Sequence, residues 1–322
     1  MLSLSTPLSE FFREFVLPNF LLPTRAAKRN IVQYEESLRL WVQYTGDPPL
    51  GEITQTTCSR FLAGLAERRW NDKPLAQNTI RKHCTPLQKM IDLAGPRTRR
   101  NRTAAGLLSG EPPYLERPPR QIRPVRDDFS LSEIGAIQTA CEVALGTTNL
   151  SGIPAPLWWR ALFVFLPNTG TRIGTALAAT WDMFDRDYPG WLNIPPSAYK
   201  GGRQGGYFYV NSHARTAIEP LRDFSNVVRS PLIFPWLNWP ESANWLQECR
   251  RRIMAASGIP EHRQFGFHGC RKFLGTWVAP QNGLLASIIL GHKSANVTRD
   301  SYVNPKVVEE LLERVPQPSF LN

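Results

Sequence analysis

Residues 96–126 constrain the fold more than any other stretch of the chain. They hold eight arginines (97, 99, 100, 102, 117, 120, 123 and 126), six prolines and only two acids. Proline stiffens and extends the backbone, so a segment of this kind cannot found a core of its own. The chain, at 322 residues, is longer than one typical domain. It therefore reads as two bodies, 1–95 and 127–322, joined by a linker over 96–126. The linker's arginines either keep it solvated or follow a phosphate backbone, and between two domains of a basic protein the second reading is favoured.

Charge supports that choice. Lysine and arginine number 38 against 27 acids, a formal net charge of +11. Such an excess points to a polyanionic partner, nucleic acid first and an anionic membrane surface second. A hydrophobic share of 42% suffices for real cores, and a charged share of 20% argues against wholesale disorder. Five cysteines (58, 84, 141, 249 and 270) are scattered without metal-ligand spacing, so neither a zinc site nor a disulfide framework is expected. A reduced, cytoplasmic setting is the simplest reading. Glu10, Arg13 and Glu14 interrupt the apolar pattern of the first twenty residues, which does not suit a signal peptide. The most apolar run, 155–167, contains Arg160 and is too short to cross a bilayer.

Apolar spacing predicts a mainly α protein with a small antiparallel sheet. In the first body, Ile31, Tyr34, Leu38 and Trp41 line one face of a helix that Thr24 is placed to cap and Gly46 to end. A second helix follows Thr54. A third covers 78–93, with Ile80, Cys84, Leu87 and Ile91 inward and Gly95 as its stop. Arg81, Lys82 and His83 on that helix form either a solvated face or one laid against DNA. In the second body Ser130-Leu131-Ser132-Glu133 has the form of a capping box. The apolar patterns at 191–194 and 207–210 read as strands flanking the turn Lys200-Gly201-Gly202-Arg203-Gln204-Gly205-Gly206.

Several polar residues stand where packing does not need them. Arg172 follows Thr169-Gly170-Thr171 at an expected helix start, where a glycine lets backbone amides approach an anion. Lys200 is the only lysine between Arg172 and His268. His268 and Arg271 share one helical face. Leu290-Gly291-His292 and then Tyr302 complete the series. Each has an ordinary structural explanation by itself: a snorkelling arginine, a solvated turn lysine, a core histidine, an amphipathic tyrosine.

Taken in order, these residues resemble the tyrosine recombinase (phage integrase) family. Thr169-Gly170-Thr171-Arg172 is similar to that family's first arginine box, His268-Gly269-Cys270-Arg271-Lys272 to its second, and Leu290-Gly291-His292 to its Leu-Gly-His motif, with Tyr302 at the nucleophile. The resemblance implies a helical, SAM-like core-binding domain over 1–95, the basic linker, and a mostly helical catalytic domain over 127–322. It also implies site-specific cutting and rejoining of DNA through a covalent 3′-phosphotyrosine, in the integration or excision of a mobile element. Arg172 and Arg271 would grip the phosphate with planar forks, and Lys200 would protonate the departing 5′ oxygen. His268 would orient Tyr302 or take its proton, and His292 would donate to the phosphate.

Because the phosphotyrosine conserves the bond energy, neither metal nor ATP is called for. The implied partners are double-stranded DNA bearing a recombination site, accessory DNA-bending proteins, and three further copies of the chain in a tetramer. Arg81, Lys82, Arg97, Arg99, Arg100 and Arg102 are the candidate DNA contacts. The amphipathic segment from Pro305 (Val307, Val308, Leu311, Leu312) is either an intramolecular core helix or, as the family implies, a helix docked on a neighbouring protomer.

Two departures matter. Thr175 stands where the family often has an acid, so a supporting carboxylate must come from elsewhere. Tyr302 lies one residue further from His292 than is usual. These leave two other readings: a DNA-binding protein on this scaffold that has lost catalysis, and a DNA-relaxing enzyme resembling the type IB topoisomerases.

Overall fold

A computed structural model describes the chain except residues 1, 25, 27, 100, 120–127, 145–151, 199–204, 228–229, 291–304 and 319–322. It divides into two compact units, Met1–Pro124 and Val125–Asn322.

The first unit is helical. Helix α1 (Leu8–Phe11) runs into a π-helical stretch, Phe12–Leu21, and is followed by α2 (Lys28–Thr45), α3 (Gln55–Glu67) and α4 (Gln77–Ala94). Tyr34, Leu38 and Trp41 of α2 are buried as their spacing requires, with the Trp41 ring 5.6 Å from that of Phe61 in α3. Thr54 caps α3 in a reciprocal box with Thr57. Thr24 does not cap α2. Its hydroxyl donates to the carbonyls of Phe20 and Leu21, finishing the preceding turn, and α2 begins only at Lys28. Between α3 and α4 the two-residue strands β1 (Arg69–Trp70) and β2 (Lys73–Pro74) form a hairpin.

The Pro/Arg-rich segment is anchored along its described part. Through residue 119 it belongs to the first unit, and two of its own apolar residues, Ala104 and Leu115, are buried. Ala105 and Leu107 donate to the carbonyls of Leu93 and Ala94, closing the end of α4. Gln88 of α4 accepts from the Leu115 amide at 2.7 Å and donates to Pro113, supplying polar partners where the prolines themselves cannot donate. A few leucines among many arginines are enough to anchor the strip, since each fully buried one contributes about 1.5–3 kcal/mol.

The second unit is built on α6 (Ala155–Thr169), which is buried along most of its length. Its one charged residue, Arg160, is exposed and pairs with Glu142. Around α6 pack α5 (Leu131–Ala140), α8 (Ser212–Val227) and α10 (His268–Val278). The capping box at Ser130 and Glu133 forms as the sequence predicts. The short helix α7 (Ile173–Ala176), α9 (Ala243–Ala256), α11 (Gly283–Ile289) and α12 (Pro305–Glu313) complete the described helices. Strands β3 (Trp191–Ile194) and β4 (Gly206–Tyr209) pair antiparallel, Trp191 opposite Tyr209 and Ile194 opposite Gly206. Leu192, Ile194 and Phe208 turn into the core. At the return of the hairpin, a Cβ on Gly205 would sit 2.2 Å from the Ile194 carbonyl oxygen, so only glycine fits there. Among the described residues no helix is long and apolar enough to cross a membrane.

Candidate active site

The first arginine box is held by the end of a buried helix. Gly170 terminates α6 in the left-handed conformation (φ 64°), its amide donating to Leu166 at 2.9 Å. The Thr169 hydroxyl donates to the Phe165 carbonyl, and the hydroxyls of Thr169 and Thr171 lie 3.1 Å apart. This turn delivers Arg172, half-buried, to the N-cap position of α7. Thr175 is buried, with its amide on the Arg172 carbonyl.

The second box opens α10. His268 is its first residue and is exposed, whereas Arg271, one turn on, is only 3% exposed. The Arg271 guanidinium reaches across to the first box. Nη1 donates to the Gly170 carbonyl at 2.5 Å, and Nη2 donates to the carbonyl of Leu290. The Leu290 side chain packs so closely that a Cβ on Gly170 or Gly275 would meet it at 3.0 or 2.9 Å. One side chain thus joins the Thr-Gly-Thr-Arg turn, the His-x-x-Arg helix and the residue that opens the Leu-Gly-His stretch. Charge-assisted bonds to carbonyls are the means by which a buried guanidinium is tolerated.

Of the six catalytic candidates, Arg172, His268 and Arg271 are described. Lys200, His292 and Tyr302 lie outside the described residues. The DNA-contact candidates divide similarly. Arg81 donates to the Pro118 carbonyl at 2.6 Å, Arg97 donates to Ala104 at 2.9 Å, and Lys82, Arg99 and Arg102 are exposed, while Arg100 is not described. Among the described residues no group of three His, Cys, Asp or Glu is placed to hold a metal.

Three sets of contacts that sequence reasoning missed support these elements. Asp128 forms an ion pair with Lys272 (2.8 Å, not in hydrogen-bond geometry) and accepts from the Thr276 hydroxyl, so the basic residue after Arg271 is engaged. Glu133, besides closing its capping box, takes a two-pronged ion pair from Arg263 at 2.5 and 2.7 Å. Hydrogen bonding from Arg263 holds the Glu133 carboxyl down to about 2. The capping box was the one sequence signal that singled Glu133 out.

The third set involves the C-terminal helix. Its Val308 and Leu312, with Val315 beyond it, are buried in their own unit. Glu309 accepts from the Trp191 indole at 2.8 Å, and Glu313 accepts from the Tyr209 hydroxyl at 2.9 Å. Burial, and then the Glu313 bond, push the Tyr209 phenol up to about 12. Buried Asn211 donates to both Asn168 and the Leu312 carbonyl, and Gln317 donates to Asn168. The apolar face, for which the sequence left open either its own core or a neighbouring protomer, is occupied here by this unit itself. The reason is complementarity: both carboxylates find matched partners, Trp191 and Tyr209 on the β3–β4 hairpin and Ser212 on α8.

Solved structures share this fold. The chain superposes on a lambda integrase tetramer bound to a Holliday junction with a TM-score of 0.62, at 18% identity, over 92% of this chain and 78% of that one. It has the fold of the tyrosine recombinases. The Tn1549 transposon integrase in complex with transposon right end DNA gives a TM-score of 0.63 at 11% identity, covering 96% of this chain and 98% of that one. The XerH site-specific recombinase bound to a palindromic difH substrate gives 0.60 at 16% identity, covering 90% and 81%. No protein-family model matches the chain, and no curated protein matches it in sequence. The tyrosine-recombinase fold is therefore carried here by a sequence far from those of the solved structures.

Proposed function

We propose that the protein is a site-specific DNA recombinase that breaks and rejoins strands through Tyr302. The tyrosine oxygen attacks a backbone phosphorus, the bond from phosphorus to the 5′ oxygen breaks, and the 3′ phosphate is left on the enzyme. The leaving oxygen takes a proton from Lys200, and His268 orients Tyr302 or accepts its proton. Arg172, Arg271 and His292 stabilise charge on the non-bridging oxygens, the effect that usually dominates such reactions. Reversal with a different 5′ hydroxyl rejoins the strand without ATP. The observation that carries this reading is the Arg271 guanidinium bonding both Gly170 and Leu290, which draws three separated motifs together.

The implied partners are duplex DNA carrying a recombination site and further copies of the chain in a tetramer, with DNA-bending proteins as accessories. The first unit would grip the DNA through Lys82, Arg99 and Arg102. Incubation with nicked duplexes drawn from sequences beside the gene should trap a detergent-resistant protein–DNA adduct. Buried Thr175 favours one alternative, a DNA-binding protein without catalysis. Duplex binding with no adduct from any such DNA, unchanged by Tyr302→Phe or Lys200→Ala, would select it.

A further inference from the structure

The β1–β2 hairpin of the first unit has no role in the account above. Its two-residue loop, Asn71-Asp72, has both φ angles positive (50° and 61°), the conformation of a type I′ turn that matches strand twist. Trp70 and Lys73 are directly opposed, so their side chains stand on the same face. The Arg69 guanidinium folds over the tip and donates to the Asp72 carbonyl at 3.1 Å. Every residue of the two strands is exposed, and Trp70 is 68% exposed. Hairpins this short contribute no core. This one holds an indole and two cations in a defined arrangement on the surface.

From this geometry we infer that the hairpin is a DNA-contact element that enters a groove of the duplex. A two-stranded ribbon has the width to enter the major groove. There the Trp70 ring packs on base edges and sugar while Lys73 and Arg69 meet phosphates. Charge selects the partner: residues 68–73 hold Arg68, Arg69 and Lys73 against Asp72 alone. A second copy of a chain at +11 would bring like charge to this face. Position agrees, because α4 begins at Gln77, three residues after β2, and carries the exposed Lys82. The inference rests on the proposed function only in taking DNA as the partner.

The test uses the full chain and a short fluorescent duplex of mixed sequence, titrated at several salt concentrations. Trp70→Ala should weaken binding about tenfold through lost aromatic burial, and Trp70→Phe should recover most of it. Arg69→Ala with Lys73→Ala should lower the log–log salt slope by about two, because two phosphate contacts no longer release counterions. Wild-type binding with all three variants indistinguishable from it would overturn the hairpin inference. So would a change confined to self-association in sedimentation. Absence of wild-type binding would instead overturn the choice of DNA as partner. All these side chains are exposed, so thermal melting should match wild type and exclude misfolding as the cause.

Discussion

Glu313, the last residue of α12, caps Ser212, the first residue of α8. Its carboxylate accepts from the Ser212 amide at 3.0 Å and from the Ser212 hydroxyl at 2.5 Å. A helix N-terminus, with its unpaired amides and partial positive charge, is ordinarily capped by a neighbour in sequence. Here Asn211 caps the Ala214 amide in that ordinary way, and Glu313 adds a second cap from a helix about a hundred residues further on. Glu313→Ala should therefore destabilise the second unit by about 0.5–2 kcal/mol, because it removes this helix cap and the acceptor of the half-buried Tyr209 hydroxyl. Urea unfolding would show this as a lower midpoint with an unchanged slope, and an unchanged midpoint would refute it.

The Glu133–Arg263 pair predicts a pH dependence. The Glu133 carboxyl is held at about 2 in the folded chain against an ordinary 4.5. A depressed folded pKa gives stability that is fully present above pH 4.5 and is lost as pH falls toward 2. The pair is mostly buried, and its contribution is on the order of 2–3 kcal/mol. Glu133→Gln should flatten the stability profile in that window. Parallel profiles for variant and wild type would count against the pair.

Arg271→Lys keeps the charge but not the fork. A single ammonium cannot reproduce the guanidinium's planar reach to both Gly170 and Leu290. Leaving one buried carbonyl unpaired costs about 1–3 kcal/mol. The variant should unfold at lower urea and give less DNA adduct than wild type. Equal stability would mean that the two carbonyl bonds contribute nothing to the fold.

The proposed chemistry draws nothing from a divalent ion or a nucleotide. Adduct formation should proceed undiminished in EDTA and without ATP. An absolute requirement for magnesium would point to a different mechanism of phosphodiester cleavage.

Much of this was legible in the sequence because it depends on local periodicity. The Tyr34-Leu38-Trp41 face, the helix after Thr54, the cap at Ser130, and the two strands flanking the Lys200 turn all follow from residues a few positions apart. What escaped were side chains bonding to distant backbone. Nothing in the spacing of Glu313, Asn168 or Asp128 reveals a partner over a hundred residues away. The packing of the 96–119 strip was hidden for a related reason. Its arginines and prolines dominate its composition, yet the buried Leu115 and its bond to Gln88 fix its position. At the site, residue patterns suggested the boxes one by one, but not that Arg271 would bond the backbone of Gly170 and Leu290.

Mass spectrometry of the trapped adduct is the decisive experiment for Tyr302 as the nucleophile. After nuclease and protease digestion, the account predicts a nucleotide remnant on the peptide containing Tyr302, and no adduct at all from Tyr302→Phe. A remnant on any other residue, or an undiminished adduct from Tyr302→Phe, would contradict it.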